Sequence, residues 1–292
     1  VTPHENDMLL RVALPNKGSL SEPAISLLRD ADYQVRRENR ELFVIDAEHG
    51  IQFFFLRPRD IARFVGDGAV DLGITGQDLL ADSGAAAEEV LSLGFARSQF
   101  RLAARPGAIS DLSQVDGQRL ATSYPTLVRK FLAEAGVQAT VITLEGAVEN
   151  AVELGLATVV ADVVESGLSL RNAGLEPFGP PLLTSEAIMV RGAVHRHSAK
   201  AAALDLLVQR LQGVLHARTY ALIEYNCPER SLADAYALTP GLEAPTVSKL
   251  AEQGWYAVRS MVERSKVQKV MDQLKGIGAE GIFTTRLDAF RA

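Results

Sequence analysis

The chain reads as an α/β protein of two lobes followed by a smaller βαββαβ domain. From Leu10 to Arg191, short apolar or β-branched runs alternate with stretches of helical spacing, the pattern of buried strands joined by helices. Beyond residue 217 the rhythm changes to strand, helix, two strands, helix and strand. Size agrees: 292 residues exceed one ordinary core, and 47% apolar with 23% charged residues suits a globular chain of two or three domains.

The first strands are expected at Leu10–Leu14, Phe53–Leu56 and Val70–Ile74, each followed by a polar or Gly-bearing turn and a helical pattern. A second set runs Phe100–Ala104, Arg119–Thr122, Thr140–Leu144 and Thr158–Val164, punctuated by Pro106-Gly107 and Asp116-Gly117. Glu186–Arg191 then returns to the first lobe. Lobe I is thus expected at residues 1–98 and 186–217 and lobe II at 99–185, joined by two crossings with a cleft between them. Ala199–Ala217 predicts a long amphipathic helix, with Leu204, Leu207, Val208, Leu211, Val214 and Leu215 on one stripe. In the terminal domain, 218–292, strands are expected at Tyr220–Tyr225, Thr246–Leu250, Tyr256–Val262 and Gly281–Thr285. Its helices are expected at Pro228–Tyr236 and after a cap at Ser265, where Val267, Val270, Met271 and Leu274 share a face and Gly276 and Gly278 stop the helix.

Composition excludes several function classes. A formal charge of −6 argues against general nucleic-acid binding, leaving anion recognition to local clusters of Lys, Arg and backbone amides. No run approaches membrane-spanning length, and Met8–Leu14 is interrupted by Arg11, so it reads as a strand and not a leader. A cytoplasmic protein with no membrane partner is expected. Cys227 is the only cysteine, which excludes an internal disulfide and a cysteine-based metal site. His195 and His197 lie in a polar loop with no third ligand at a useful spacing and read as surface residues. Residues Val1–Asp7 read as a loosely ordered extension.

The densest chemistry lies between Glu149 and Leu170. Ala147–Leu154 has helical spacing with Gly155 as its stop, and Asp162 is an acid inside an otherwise apolar strand. The strand opens into Glu165-Ser166-Gly167, after which Leu168-Ser169-Leu170 begin a helix, so amides and two hydroxyls converge where an anion is favoured. An ordinary strand-to-helix turn with Ser166 as N-cap has the same local sequence. Lys17 and Arg57 each follow a buried strand and precede a helix, the place where open α/β sheets bind anionic ligands. Arg59 reads as a solvated neighbour. Ser19-x-x-Glu22 and Thr75-x-x-Asp78 have the spacing of capping boxes. Tyr124 follows a strand and offers a ring to a purine.

The ordered set Glu149, Gly155, Ala157, Val160, Asp162, Val163, Ser166, Gly167 and Leu170 resembles the phosphoribosyl-pyrophosphate signature of the ATP phosphoribosyltransferase family, with Ser169 where that family usually carries Thr. The resemblance continues through Pro15–Glu22, Phe53–Ile61, Asp71–Leu79, Ala121–Arg129 and Thr239–Thr246, and covers nearly everything from Met8 onward. It implies two lobes of periplasmic-binding-protein-like type and a C-terminal ferredoxin-like, ACT-like regulatory domain, as in the long form of the enzyme. It also implies the first reaction of histidine biosynthesis, in which adenine N1 of ATP displaces pyrophosphate from phosphoribosyl pyrophosphate, with Mg2+ as cofactor. Lys17, Arg57, Glu149 and Asp162 become candidate catalytic residues. Asp78, Tyr124, Val163, Ser166, Gly167, Leu168, Ser169 and Leu170 become candidate substrate contacts. Glu224, Asn226, Thr246 and Gly281 match positions near the family's effector site, which implies inhibition by histidine in a homo-oligomer of between two and six subunits. A non-catalytic solute sensor built on the same cleft would need no combination of Lys17, Arg57 and phosphate loop.

Overall fold

The computed structural model describes residues 9–36, 41–192 and 200–291. The expected extension Val1–Asp7 and the loop of His195 and His197 lie outside the described residues. The chain divides into two compact units, one formed by Val1–Arg29 and Tyr33–Leu206, the other by Asp30–Asp32 and Leu207–Ala292. The change of unit falls within a single long helix, Ala201–Thr219.

The first unit contains two sheets. In lobe I, β1 (Leu10–Pro15), β2 (Phe43–Asp46), β3 (Ile51–Leu56), β4 (Leu72–Gly76), β5 (Ala87–Ser92) and β11 (Ala187–Gly192) lie in the order β2-β3-β1-β4-β11-β5. In lobe II, β6 (Ser98–Ala104), β7 (Arg119–Thr122), β8 (Thr140–Thr143), β9 (Val159–Val164) and β10 (Glu176–Ser185) lie in the order β10-β6-β9-β7-β8. The two sheets share a plan. In each, one strand is flanked by two parallel neighbours (β3 and β4 around β1; β8 and β9 around β7), and an antiparallel strand follows on one side (β11 or β6). The inner parallel strands are covered on both faces, which is why Leu10, Val12 and Leu14 or Val159 and Val160 read as near-continuous apolar runs.

Helices α1 (Ser21–Asp30), α2 (Pro58–Gly66) and α3 (Gln77–Ser83) follow the strands of lobe I, and α4 (Pro125–Ala135), α5 (Asn150–Glu153) and α6 (Leu168–Asn172) those of lobe II. Proline at the first turn starts α2 and α4, and Gly136, left-handed at φ 68°, ends α4. Lobe I is cored by Ile61 and Val65 against Ala13, Ile188 and Val190, and lobe II by Val148, Val152 and Leu170 against Ala103, Ala121 and Val160. A side chain at Gly73 would meet Ile61 Cγ2 at 2.4 Å, so glycine is what lets α2 lie directly on β4. The two crossings bond to each other through Leu93 N to Ala187 O and Ala187 N to Phe95 O, both 2.9 Å, and Arg97 Nε donates to Glu186 Oε2 at 3.1 Å.

The second unit carries β12 (Tyr220–Pro228), α8 (Leu232–Leu238), β13 (Thr246–Lys249), β14 (Trp255–Glu263), α9 (Val267–Gly276) and β15 (Glu280–Arg286), with α7 being Ala201–Thr219. Its antiparallel sheet has the order β13-β14-β12-β15, the ferredoxin-like arrangement. Ile223, Tyr225 and Cys227 alternate onto the buried face, packed with Ala235, Val270 and Leu274 of the helices.

Several local expectations are corrected. The segment Ala147–Leu154 is helical only over Asn150–Glu153, because Ala147 adopts a left-handed φ of 48°. Neither capping box forms: Ser19 Oγ donates to Glu165 Oε1 at 2.8 Å, and Thr75 Oγ1 to the Pro58 carbonyl at 3.0 Å. Gly76, with no side chain to bond, occupies the N-cap of α3. Ser265 sits inside a short 3-10 turn, and the residue preceding α9 is Lys266 without a side-chain cap.

Candidate functional site

Lys17 and Arg57 are exposed at the C-terminal ends of adjacent parallel strands. The register Pro15↔Leu56 and a bond from Asn16 N to Leu56 O at 2.8 Å bring their loops side by side. Arg57 is the N-cap residue of α2, its backbone extended ahead of Pro58. From lobe II the loop Glu165–Gly167 reaches the loop that carries Lys17 through the Ser19–Glu165 bond. Gly167 stands at φ 70° as the N-cap of α6, and Arg171 Nη2 braces the loop by donating to Ser166 O at 2.9 Å. The cap is therefore Gly167 and not Ser166, whose Oγ accepts from Leu168 N at a long 3.4 Å. Ser166, Leu168 and Ser169 are exposed, whereas the Leu170 side chain belongs to the core of lobe II and only its amide is offered outward.

Asp162 lies two residues before the end of β9. Burial pushes its carboxyl up from 3.8 to about 6; Glu149 and Asp78 add repulsion, while the Val163 amide, 2.8 Å from Oδ1, and Arg59 oppose it. Glu149 itself is the residue preceding α5 and makes no side-chain capping bond. Two acids thus share one partly desolvated region without a full complement of positive charge. Among the described residues, no group of three His, Cys, Asp or Glu side chains is placed to hold a metal ion.

Asp78 is only 7% exposed and already engaged. It accepts from Ser185 Oγ at 2.7 Å, and its amide donates to the same oxygen at 3.1 Å. Tyr124 is 8% exposed; burial first, then the charge of Asp78 and a hydrogen bond to it, hold its phenol well above the usual range. Its ring packs edge-on against Phe100 with centroids 5.1 Å apart, and the Arg59 guanidinium lies 4.7 Å from its centroid. Arg59 remains exposed over 46% of its side chain and is more than a solvated neighbour. It also donates to the Ser123 carbonyl and pairs with Asp82 at 3.5 Å. The sequence offered no signal for Asp82, the next-to-last residue of α3.

The terminal unit has a separate site. Glu224, Asn226, Thr246 and Gly281 all line one cavity of about 350 Å³ on the helix-free face of the sheet, together with Arg259 and Phe283. The pairings Glu224↔Arg259, Asn226↔Ala257 and Thr246↔Arg259 set these side chains on one face. Glu224 is bonded to Arg259 Nε, so the acid expected to meet a cation already has a cationic partner. Gly281 has φ 58° where β15 slips register between Glu224 and Asn226, a bulge that favours glycine.

Comparison with known proteins covers nearly the whole chain. Residues 57–213 match the family model described as ATP phosphoribosyltransferase, and residues 217–289 match HisG, C-terminal domain. The ATP phosphoribosyltransferase of Streptomyces avermitilis is 53% identical over 285 residues, 97% of this chain and 100% of the relative. That of Paenarthrobacter aurescens is 51% identical with the same coverage. The solved ATP phosphoribosyl transferase (HisG:HisZ) complex from Thermotoga maritima has a TM-score of 0.61 at 24% identity, covering 70% of this chain and 96% of that one, a likeness of fold. With relatives matched from end to end and both regional models satisfied in order, the chain belongs to the long form of the ATP phosphoribosyltransferase family.

Proposed function

We propose that the cleft of the first unit joins adenine N1 of ATP to C1 of phosphoribosyl pyrophosphate, and that histidine controls the reaction from the terminal sheet. The observation that carries the first part is the set Asp162, Glu149, Asp78, Tyr124 and Arg59, drawn from both lobes and coupled electrostatically. Displacement at an anomeric carbon passes through an oxocarbenium-like state and needs no covalent nucleophile; the protein must hold two polyanions in line and protect a developing cation. Ser166, Gly167, Ser169 and the Leu170 amide would seat the 5-phosphate. Lys17 and Arg57 would meet the leaving pyrophosphate. Asp162 and Glu149 would hold ribose hydroxyls and favour positive charge on the sugar, and Tyr124 would contribute to the adenine seat.

The neighbouring acids Glu149 and Asp162 fit a divalent cation, in this reading Mg2+, held mostly by substrate oxygens and water, with these carboxylates reaching its bound water. Such a cation supplies neutralisation of pyrophosphate charge. For the terminal unit, Asn226, Thr246 and Glu224 would bond the imidazole or amino group of histidine, and Arg259 would meet its carboxylate. Control then requires two conformational states in a homo-oligomer of two to six subunits, one of which binds histidine better. Among the described residues no helix is long and apolar enough to cross a membrane, and we take the enzyme to act in the cytoplasm on free metabolites, with no nucleic-acid or membrane partner. The division proposed is lobe I at 1–98 and 186–217, lobe II at 99–185 and the regulatory domain at 218–292.

The phosphate seat is tested by Ser169→Asp. This residue is exposed, so the variant should fold, while its carboxylate repels the 5-phosphate. Calorimetric affinity for phosphoribosyl pyrophosphate should fall by about tenfold or more, the effect of one unfavourable charge contact of ~1.4 kcal/mol. Unchanged affinity would remove the loop from the substrate site.

A further inference from the structure

Helix α4 begins lobe II's contribution to the adenine seat, and it is incomplete by itself. Its N-cap residue, Tyr124, makes no side-chain capping bond, and Pro125 occupies the first helical position. The free amides of the first turn find their acceptor in the other lobe: Asp82 Oδ1, on α3, accepts from Thr126 N at 2.8 Å and Leu127 N at 3.1 Å. Asp82 is 8% exposed, so these bonds are made largely out of water. An anion at a helix N-terminus is favoured by the helix dipole as well as by the bonds. The second oxygen of Asp82 lies 3.5 Å from Arg59 Nη1, and that same nitrogen donates to the Ser123 carbonyl, immediately before Tyr124. Arg59 also lies over the Tyr124 ring. Two side chains of lobe I therefore hold four backbone and ring contacts of lobe II, all within residues 123–127.

We propose that Asp82 and Arg59 are positioning residues of the reaction: acting from lobe I, they clamp the first turn of α4 and so fix Tyr124 at the adenine seat with the two lobes in register. The inference rests on the reading of Tyr124 as part of that seat. Neither residue needs to touch the reacting atoms. Asp82 supplies the cap that the sequence of α4 lacks, and Arg59 neutralises Asp82 while setting the orientation of the ring.

The test uses the full chain with Asp82→Ala, Asp82→Asn and Tyr124→Ala, measuring KM for each substrate, kcat and the thermal midpoint. Asparagine keeps an oxygen that accepts from both amides and loses only the ion pair, whereas alanine removes the cap. The expected result is a rise of about tenfold in KM for ATP in Asp82→Ala, within the range that loss of an N-cap carries, with KM for phosphoribosyl pyrophosphate changed less than about twofold. Asp82→Asn should recover most of that loss. A purely structural role would lower the midpoint and kcat with the two KM values unmoved, and that outcome, like an Asp82→Asn no better than Asp82→Ala, overturns the proposal. If Tyr124→Ala raises KM for ATP and Asp82→Ala does not, the clamp alone fails. If Tyr124→Ala leaves KM for ATP unchanged, the adenine seat is misplaced and the clamp falls with it.

Discussion

Asp162 is an acid whose burial carries a cost in stability. Its carboxyl ionises near 3.8 in an open chain and near 6 in the fold, with burial as the main cause. Between these values the folded state keeps a proton that the unfolded state has lost, so stability is full below about pH 4 and declines as pH rises to about 6. At ~1.4 kcal/mol for each tenfold change in the protonation equilibrium, the loss at neutral pH is at most about 3 kcal/mol. Asp162→Asn should therefore melt at a higher temperature than the parent at pH 8 and at nearly the same temperature at pH 4. Turnover should move the other way, falling on the order of 10²-fold if charge at the sugar stabilises the transition state. The parent's turnover should also rise with pH through about 6, a limb the variant lacks. A variant that loses stability at pH 8 and keeps its turnover would make Asp162 a structural residue. The acid was visible in the sequence as a charge inside an apolar strand. Asp82 and Arg59 were not, because their contacts join α3 and α2 to residues 44 and 64 positions later in the chain.

At the scale of elements, the buried parallel strands were legible because both faces are covered and their sequences are continuously apolar. Three edge or near-edge strands were not. β2 reads Phe-Val-Ile-Asp but exposes Phe43 and Ile45 and buries Asp46, inverting the usual pattern. β5 carries Glu88-Glu89 in its middle, and β10 contains three prolines and Gly179, tolerated because it lies at a sheet edge and breaks register between Phe178 and Leu183. The crossing between β5 and β6 holds a further feature: Ala96 adopts φ 51°, a left-handed conformation that costs a non-glycine residue about 1–2 kcal/mol. Ala96→Gly should relieve this, offset by about 0.4–1 kcal/mol of extra freedom in the unfolded chain. Ala96→Val adds branching and crowding at the same angle. The midpoint measured by thermal melting should rise slightly or hold in the glycine variant and fall by several degrees in the valine variant; equal midpoints in the two would show that the left-handed turn is not adopted.

For the whole molecule, catalysis and control are assigned to different units, and the terminal sheet presents its open face as a cavity containing all four residues expected there. Those four were legible through the family resemblance, and strict alternation along a strand then sets Glu224 and Asn226 on the face opposite Ile223 and Tyr225. Arg259 was not legible because its pairing with Glu224 is a matter of register between β12 and β14. The most direct test is pyrophosphate release on mixing ATP with phosphoribosyl pyrophosphate, followed with and without histidine, in the parent and in Asn226→Lys, whose longer cationic side chain crowds the cavity and repels a cationic ligand. The expected result is release that requires both substrates, slowed by histidine in the parent without competition against either, and resistant to histidine in the variant. Absence of release from the two substrates together, equal inhibition of both proteins, or inhibition competitive with ATP or phosphoribosyl pyrophosphate would contradict it.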